Sequence, residues 1–173
     1  SATIDLIPAA IDELRWAGVS SMSLSLDGST AERHDAFRGV PGTFATTVRA
    51  ARWIREAGIP LQINTLVTAE TLDDLGEIHR RVSSLGAQRW SLFFLVPVGR
   101  GRLLDPLTPS ECEMLFHWVY DRSRAGGPVI TTTEAPHYRR VALQRLKYEG
   151  RSGEEIRRQP LWRGFGIRDG NGV

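Results

Sequence analysis

Three amphipathic runs in the first half of this chain each stop on a glycine and are followed at once by a short β-prone stretch, and this rhythm limits the possible folds most. Residues 6–17 carry Ile7, Ala10, Ile11, Leu14 and Ala17 at helical spacing and end at Gly18. Residues 43–57 carry Phe44, Val48, Ala51, Ile54 and Ala57 and end at Gly58, and residues 71–85 carry Leu72, Leu75, Ile78, Val82 and Leu85 and end at Gly86. The stretches 21–26, 61–67 and 90–96 read as the strands that follow. The last is almost continuously apolar, so burial on both faces is expected for it. Thr108-Pro109-Ser110-Glu111 combines a capping box with proline at the first helical position and opens a helix to about Arg124. A short β-prone run, 129–133, and a helix over 136–147 come after it, while the Gly- and Arg-rich stretch 149–168 predicts no element. Helix and strand alternating over short links predict an α/β fold with parallel strands and right-handed crossovers.

The stretch 21–42 holds the densest set of candidate site residues. Its strand puts Met22, Leu24 and Leu26 on one face and stops at the turn pair Asp27-Gly28. Ser29 and Glu32 have the spacing of a capping box, and Gly39 with Pro41 ends the short helix that follows. Ser25 and Asp27 thus reach a lip toward which His34 and Arg38 return. Polar groups beyond the C-terminal ends of strands are the usual place for a site in an α/β fold.

Composition excludes several function classes. The chain has 173 residues, enough for one domain, with 22 basic against 20 acidic side chains and a formal charge of +2. That balance argues against nucleic acid and anionic membranes as partners. No apolar run approaches the roughly 18 residues that span a bilayer, and no signal peptide is evident, so the expected location is cytoplasmic. The single cysteine, Cys112, excludes an internal disulfide framework. The absent initiator Met and the Asp-Gly and Asn-Gly pairs of 167–173, which announce a hairpin, make the chain read as an interior segment of a longer protein.

Ser25-Leu26-Asp27-Gly28 followed by His34-Asp35-Ala36-Phe37-Arg38-Gly39 resembles the fourth strand and following loop of radical S-adenosylmethionine enzymes, in particular those with a C-terminal SPASM extension. Gln62-Ile63-Asn64-Thr65 and Phe94-Leu95-Val96-Pro97-Val98-Gly99-Arg100-Gly101 resemble the ends of that fold's fifth and sixth strands. Thr132-Thr133-Glu134-Ala135-Pro136-His137-Tyr138-Arg139-Arg140 resembles a subgroup related to the haem d1 and alternative haem biosynthesis enzymes. The resemblance implies a segment of a partial (β/α)6 TIM-like barrel, about three βα units plus C-terminal helices. Residues 1–125 would form the barrel part, with 126–173 leading toward a SPASM-type region.

The resemblance also implies a chemistry, in which a [4Fe-4S] cluster reduces S-adenosylmethionine and the resulting 5'-deoxyadenosyl radical abstracts hydrogen from a substrate. Carried over position by position, Ser25 would contact the ribose and Arg38 the methionine carboxylate, where a guanidinium fork gives two charge-assisted bonds. Asn64 would bond the nucleoside or a neighbouring loop, and Leu95 would contact the adenine. A tetrapyrrole or a peptide is the implied substrate and a flavodoxin or ferredoxin the implied reductant. The cluster needs three cysteines in a C-x3-C-x2-C loop, which Cys112 cannot supply, so the segment by itself is expected to be inactive.

Each residue also has a plainer reading. Arg38 has Asp35 three residues before it as a surface partner. His34 is expected to pack or cap, and His79 and His117 to lie at surfaces or interfaces. Cys112 is expected to be a partly buried structural thiol. Gly99-Arg100-Gly101 is open between an anion-binding loop and an exposed one, and Glu134, His137, Tyr138 and Arg139 between substrate contacts and surface pairs. Two other functions fit the same strand ends: a non-catalytic α/β domain that binds a ligand or partner without iron, and another barrel enzyme with a phosphate loop at Gly99 to Gly101.

Overall fold

A computed structural model describes residues 6–158. In chain order the elements are α1 (Pro8–Trp16), β1 (Met22–Ser25), α2 (Ala31–Arg38), α3 (Thr43–Glu56), β2 (Leu61–Val67) and α4 (Leu75–Ser84). They continue with β3 (Arg89–Phe94), α5 (Pro109–Arg124), β4 (Val129–Thr133), α6 (His137–Tyr148) and the short α7 (Gly153–Arg158). The β-prone run 129–133 is thus a fourth strand, one more than the three of the helix–glycine–strand rhythm.

All neighbouring strands are parallel and stand in chain order, β1-β2-β3-β4. A sheet wound in one direction by right-handed crossovers receives its helices on one face only. Leu24, Leu26, Ile63, Trp90, Leu92 and Ile130 point to that face and are buried against Ala50, Ala51 and Ile54 of α3, Ile78 and Val82 of α4, and Val119 of α5. The opposite face carries Ser23, Ser25, Gln62, Asn64, Ser91 and Thr131, most of them half-buried or exposed. Strand β2 shows the asymmetry residue by residue: Leu61, Ile63, Thr65 and Val67 are buried while Gln62, Asn64 and Leu66 between them are half-buried.

Several local expectations shift. In α3 the buried line is Thr43, Thr47, Ala50, Ala51 and Ile54, with Phe44, Val48 and Ala57 at its flank. Small side chains lie under the helix where it approaches the sheet, and larger ones fill the sides. Strand β3 is not covered on both faces along its whole length; Trp90, Ser91 and Leu92 are buried, but Leu95 beyond its end is half-buried and Val96 exposed. The run 71–85 begins as a 3-10 turn, Leu72–Asp74, before α4. The capping box of Thr108 and Glu111 forms as expected.

The sheet is pinned from within by a buried polar relay. Trp90 Nε1–H donates to Thr65 Oγ1 at 2.8 Å, and Thr65 O–H donates to the Leu26 carbonyl at 2.7 Å. Trp90, Thr65 and Leu26 all have 0% of their surface exposed, so each polar group depends on the next. The Thr65→Val substitution, nearly the same in volume, orphans an indole N–H and a carbonyl; we expect a loss of about 2–4 kcal/mol, read as a shift in the denaturant midpoint.

Candidate functional site

Strand β1 ends at Ser25, yet its pairing runs one residue further, because Leu26 N–H donates to the Asn64 carbonyl at 2.9 Å. Ser25 and Asn64 are register partners, and Asn64, Ser91 and Thr131 are register partners in turn. The four polar side chains form one row across the open face of the sheet. Asn64 Oδ1 accepts from Gln62 Nε2 at 2.7 Å, which leaves the amide's NH2 edge for another group. Ser91 and Thr131 hydroxyls bond each other at 2.8 Å. The sequence signal for Ser91 is a lone hydroxyl among the apolar residues of β3, and for Thr131 the run of three threonines in β4.

Asp27 turns the chain away from the sheet and is held at three atoms. Its carboxylate accepts Leu66 N–H at 2.7 Å through Oδ1, and its own N–H donates to His34 Nδ1 at 3.0 Å. Its Oδ2 lies 2.8 Å from Arg38 Nε, close enough for an ion pair, though no group among the described residues gives Oδ2 an aligned hydrogen bond. Burial pushes the Asp27 carboxyl above its ordinary range, against the opposing pull of the Arg38 charge and the Leu66 N–H. Arg38 therefore pairs with Asp27 and not with Asp35. Asp35 instead accepts Gly42 N–H at 2.6 Å, Thr43 O–H at 2.8 Å and Phe44 N–H at 2.7 Å, closing the N-terminus of α3.

The α2 cap also differs by one residue from the Ser29–Glu32 box. Ser29 is spent on Asp74, donating its N–H at 2.7 Å and its hydroxyl at 2.6 Å, so Thr30 becomes the N-cap and accepts from Arg33 N–H. His34, the one buried residue of α2, packs as expected and is oriented by a backbone group. Burial and the nearby Arg38 charge lower it from the usual 6.5 to about 4, which keeps the imidazole neutral and Nδ1 free to accept. Gly28 passes directly against α2: a Cβ there would come within 2.3 Å of His34 N and 2.7 Å of the Arg33 carbonyl carbon.

Leu95 follows β3, and its N–H donates to the Val67 carbonyl at 3.3 Å. The loop beyond it folds back as a 3-10 turn, Gly99–Leu103, tightly enough that a Cβ at Gly101 would meet the Val96 carbonyl oxygen at 2.8 Å. Ser25 and the Asp27–Arg38 pair thus stand at the C-terminal end of β1 and Leu95 just beyond that of β3, whereas Asn64, expected at the end of its strand, lies in the middle of β2.

The other candidates do not join them. Tyr138 is buried against Phe116, and burial raises its phenol to about 12. Glu134, at a left-handed φ of 61°, and His137 line a separate cavity of about 380 Å³ with Phe94, Cys112 and Phe116. Arg140 at its rim pairs with Glu113. Burial and the neighbouring Glu111 push the Cys112 thiol up, in keeping with a structural role. His79 sits between Trp90 and Trp118, and His117 lies 3.7 Å from Glu113. Among the described residues no group of three or more His, Cys, Asp or Glu side chains is placed to hold a metal ion, and one cysteine cannot provide three thiolates to a cluster. The row of hydroxyl and amide groups with an adjacent guanidinium suits a polar organic ligand that carries a carboxylate.

A singly wound parallel sheet with helices on one face and polar groups on the other is an α/β arrangement of the kind from which (β/α) barrels are built. Residues 2–82 match the model of the radical SAM superfamily. The chain is 40% identical over 145 residues to an AdoMet-dependent heme synthase of Methanosarcina barkeri, an alignment covering 84% of this chain and 42% of that protein. It is 37% identical over 86 residues to a PqqA peptide cyclase of Ruegeria pomeroyi, covering 50% and 23%. Among solved structures, Streptococcus suis SuiB bound to S-adenosylmethionine superposes with a TM-score of 0.55 at 16% identity, over 78% of this chain and 30% of that one. The chain belongs to the radical SAM superfamily, and it spans about two fifths of the length of the heme synthase it matches.

Two measurements test the loop geometry. The Gly28→Ala substitution forces the loop off α2, and we expect about 1–3 kcal/mol of destabilisation by denaturant unfolding. For pH, an unfolded histidine takes its proton below the ordinary 6.5 whereas folded His34 waits until about 4. The unfolded state therefore gains protons in that window and stability falls as pH drops through it. In His34→Asn, whose amide oxygen still accepts Asp27 N–H, the part of the decline that His34 causes is expected to vanish from the pH dependence of the unfolding midpoint.

Proposed function

We propose that this chain is part of a radical SAM enzyme that cleaves S-adenosylmethionine reductively and uses the 5'-deoxyadenosyl radical to abstract hydrogen from an organic substrate. The observation that carries it is the pairing of Ser25 with Asn64 on the open face of the sheet, with Arg38 beside Asp27 just beyond β1 and Leu95 just beyond β3, in a chain of this superfamily. The Ser25 hydroxyl donates to and accepts from a ribose, and the free NH2 edge of Asn64 donates to the nucleoside beside it. Leu95, half-buried beyond β3, packs on the adenine. Arg38 binds the methionine carboxylate. The cluster that supplies the electron has its ligands in the longer protein, which we expect to be cytoplasmic and served by a flavodoxin- or ferredoxin-type reductant. In this reading β1 to β3 are the fourth to sixth strands of the barrel. Residues 126–173, which begin with the added strand β4, lead toward a SPASM-type region.

A tetrapyrrole carrying propionate groups is the favoured substrate class, because the heme synthase is 40% identical over 84% of the chain while a PqqA peptide cyclase that aligns over 75% of it is 27% identical. The test is to reconstitute the full-length protein anaerobically, reduce it and assay 5'-deoxyadenosine with tetrapyrrole and peptide substrates. Product is expected with the former. Losing the charge-assisted bonds of Arg38 in Arg38→Ala is expected to raise the S-adenosylmethionine concentration for half-maximal turnover about 10- to 100-fold. No 5'-deoxyadenosine under these conditions, or an upstream sequence without a C-x3-C-x2-C loop, overturns the reading.

A further inference from the structure

Arg38 ends a short helix and stands 39% exposed, a setting in which a long side chain ordinarily samples many rotamers. Its partner is the opposite: the Asp27 side chain is 2% exposed and cannot swing. Leu66 N–H holds Oδ1 from strand β2, and His34 Nδ1 holds the Asp27 backbone from helix α2. His34 and Arg38 are four residues apart, on the same face of α2. One face of that helix therefore grips one residue twice, His34 at its N–H and Arg38 at its carboxylate. The contact with Asp27 is made by Nε, at 2.8 Å. Among the described residues no hydrogen bond engages Arg38 Nη1 or Nη2, and the side chain is in part exposed.

We infer that Asp27 is a positioning residue for Arg38: it anchors the guanidinium by its Nε side and leaves the Nη1/Nη2 edge turned outward as a two-pronged site for a ligand carboxylate. The inference rests on the reading that Arg38 binds the methionine carboxylate, and it assigns Asp27 a role that the match of Arg38 alone does not. Its physical content is pre-organisation. A guanidinium already oriented and relieved of much of its rotamer freedom pays less entropy when the carboxylate arrives. The arrangement needs arginine, since a lysine ammonium is a single point and cannot be held from one side while presenting a fork on the other.

The full-length holoenzyme, reconstituted anaerobically, tests this by equilibrium binding of two ligands, S-adenosylmethionine and its decarboxylated analogue, which differ only in the carboxylate. Arg38→Ala and Asp27→Asn are each expected to weaken S-adenosylmethionine about tenfold or more and to leave the analogue within about twofold. The double variant is expected to bind no more weakly than Arg38→Ala, because Asp27 acts through Arg38. Equal weakening of both ligands by Asp27→Asn, or additive losses in the double variant, overturns the proposal and makes Asp27 merely structural. Unchanged S-adenosylmethionine binding in Arg38→Ala instead removes Arg38 from the site, and the underlying reading with it. Should Asp27→Asn not fold, Arg38→Lys decides: binding as weak as in Arg38→Ala supports the two-edged guanidinium, and wild-type binding refutes it.

Discussion

A carboxylate buried beside a half-exposed guanidinium is the constraint on which the end of this sheet depends. Removing Asp27 from water is costly, and the cost shows in its raised pKa. Leu66 N–H and the Arg38 charge offset it, and His34 Nδ1 accepts the backbone N–H of the same residue. These partners come from β2 and α2, so satisfying one side chain fixes where the strand stops, how closely Gly28 passes the helix and where Arg38 stands. α2 has little apolar surface to hold it; His34 is its one buried residue. Polar contacts at Asp27, Thr30 and Asp35 take the place of a hydrophobic stripe.

The winding direction of the sheet explains why polar residues survive in its middle. Helices cover only the face of Leu24, Ile63, Trp90 and Ile130. The other face pays no full burial penalty, and there Ser25, Asn64, Ser91 and Thr131 stand in one row. Where a hydroxyl does become buried, it finds a partner: Ser91 takes Thr131, and Thr65 joins Trp90 to Leu26. A hydrophobic layer on one side and an addressable polar surface on the other follow from the same topology.

The radical SAM superfamily match and the heme synthase relative bear on the chain as a whole, while the geometry of the strand ends bears on particular atoms. The two meet at Arg38. The resemblance proposes Arg38 for a ligand carboxylate, and the structure sets Asp27 beside it. The cavity beside Glu134 and His137 stands apart from that meeting point, with Tyr138 turned into the core.

Local pattern in the sequence was enough for most elements and their order, though not for α7, which forms within the stretch 149–168 where none was expected. Glycine beyond each helix, apolar spacing of three and four, and the Thr108–Glu111 box are interactions between residues close in the chain, so they are legible without a fold. The roles of Ser25, Asn64 and Leu95 came from family resemblance; the register of β1 with β2 sets Ser25 beside Asn64, inside β2 rather than at its end. The partner of Arg38 was not legible. Asp35 is three residues away and Asp27 eleven, and proximity in sequence favoured the wrong one. Ser29 left its capping position for Asp74, forty-five residues on, and the cap moved to Thr30. Such choices are made by competition among polar groups that only tertiary packing brings within reach. The sequence by itself determined which residues were available, and the fold decided which of them met.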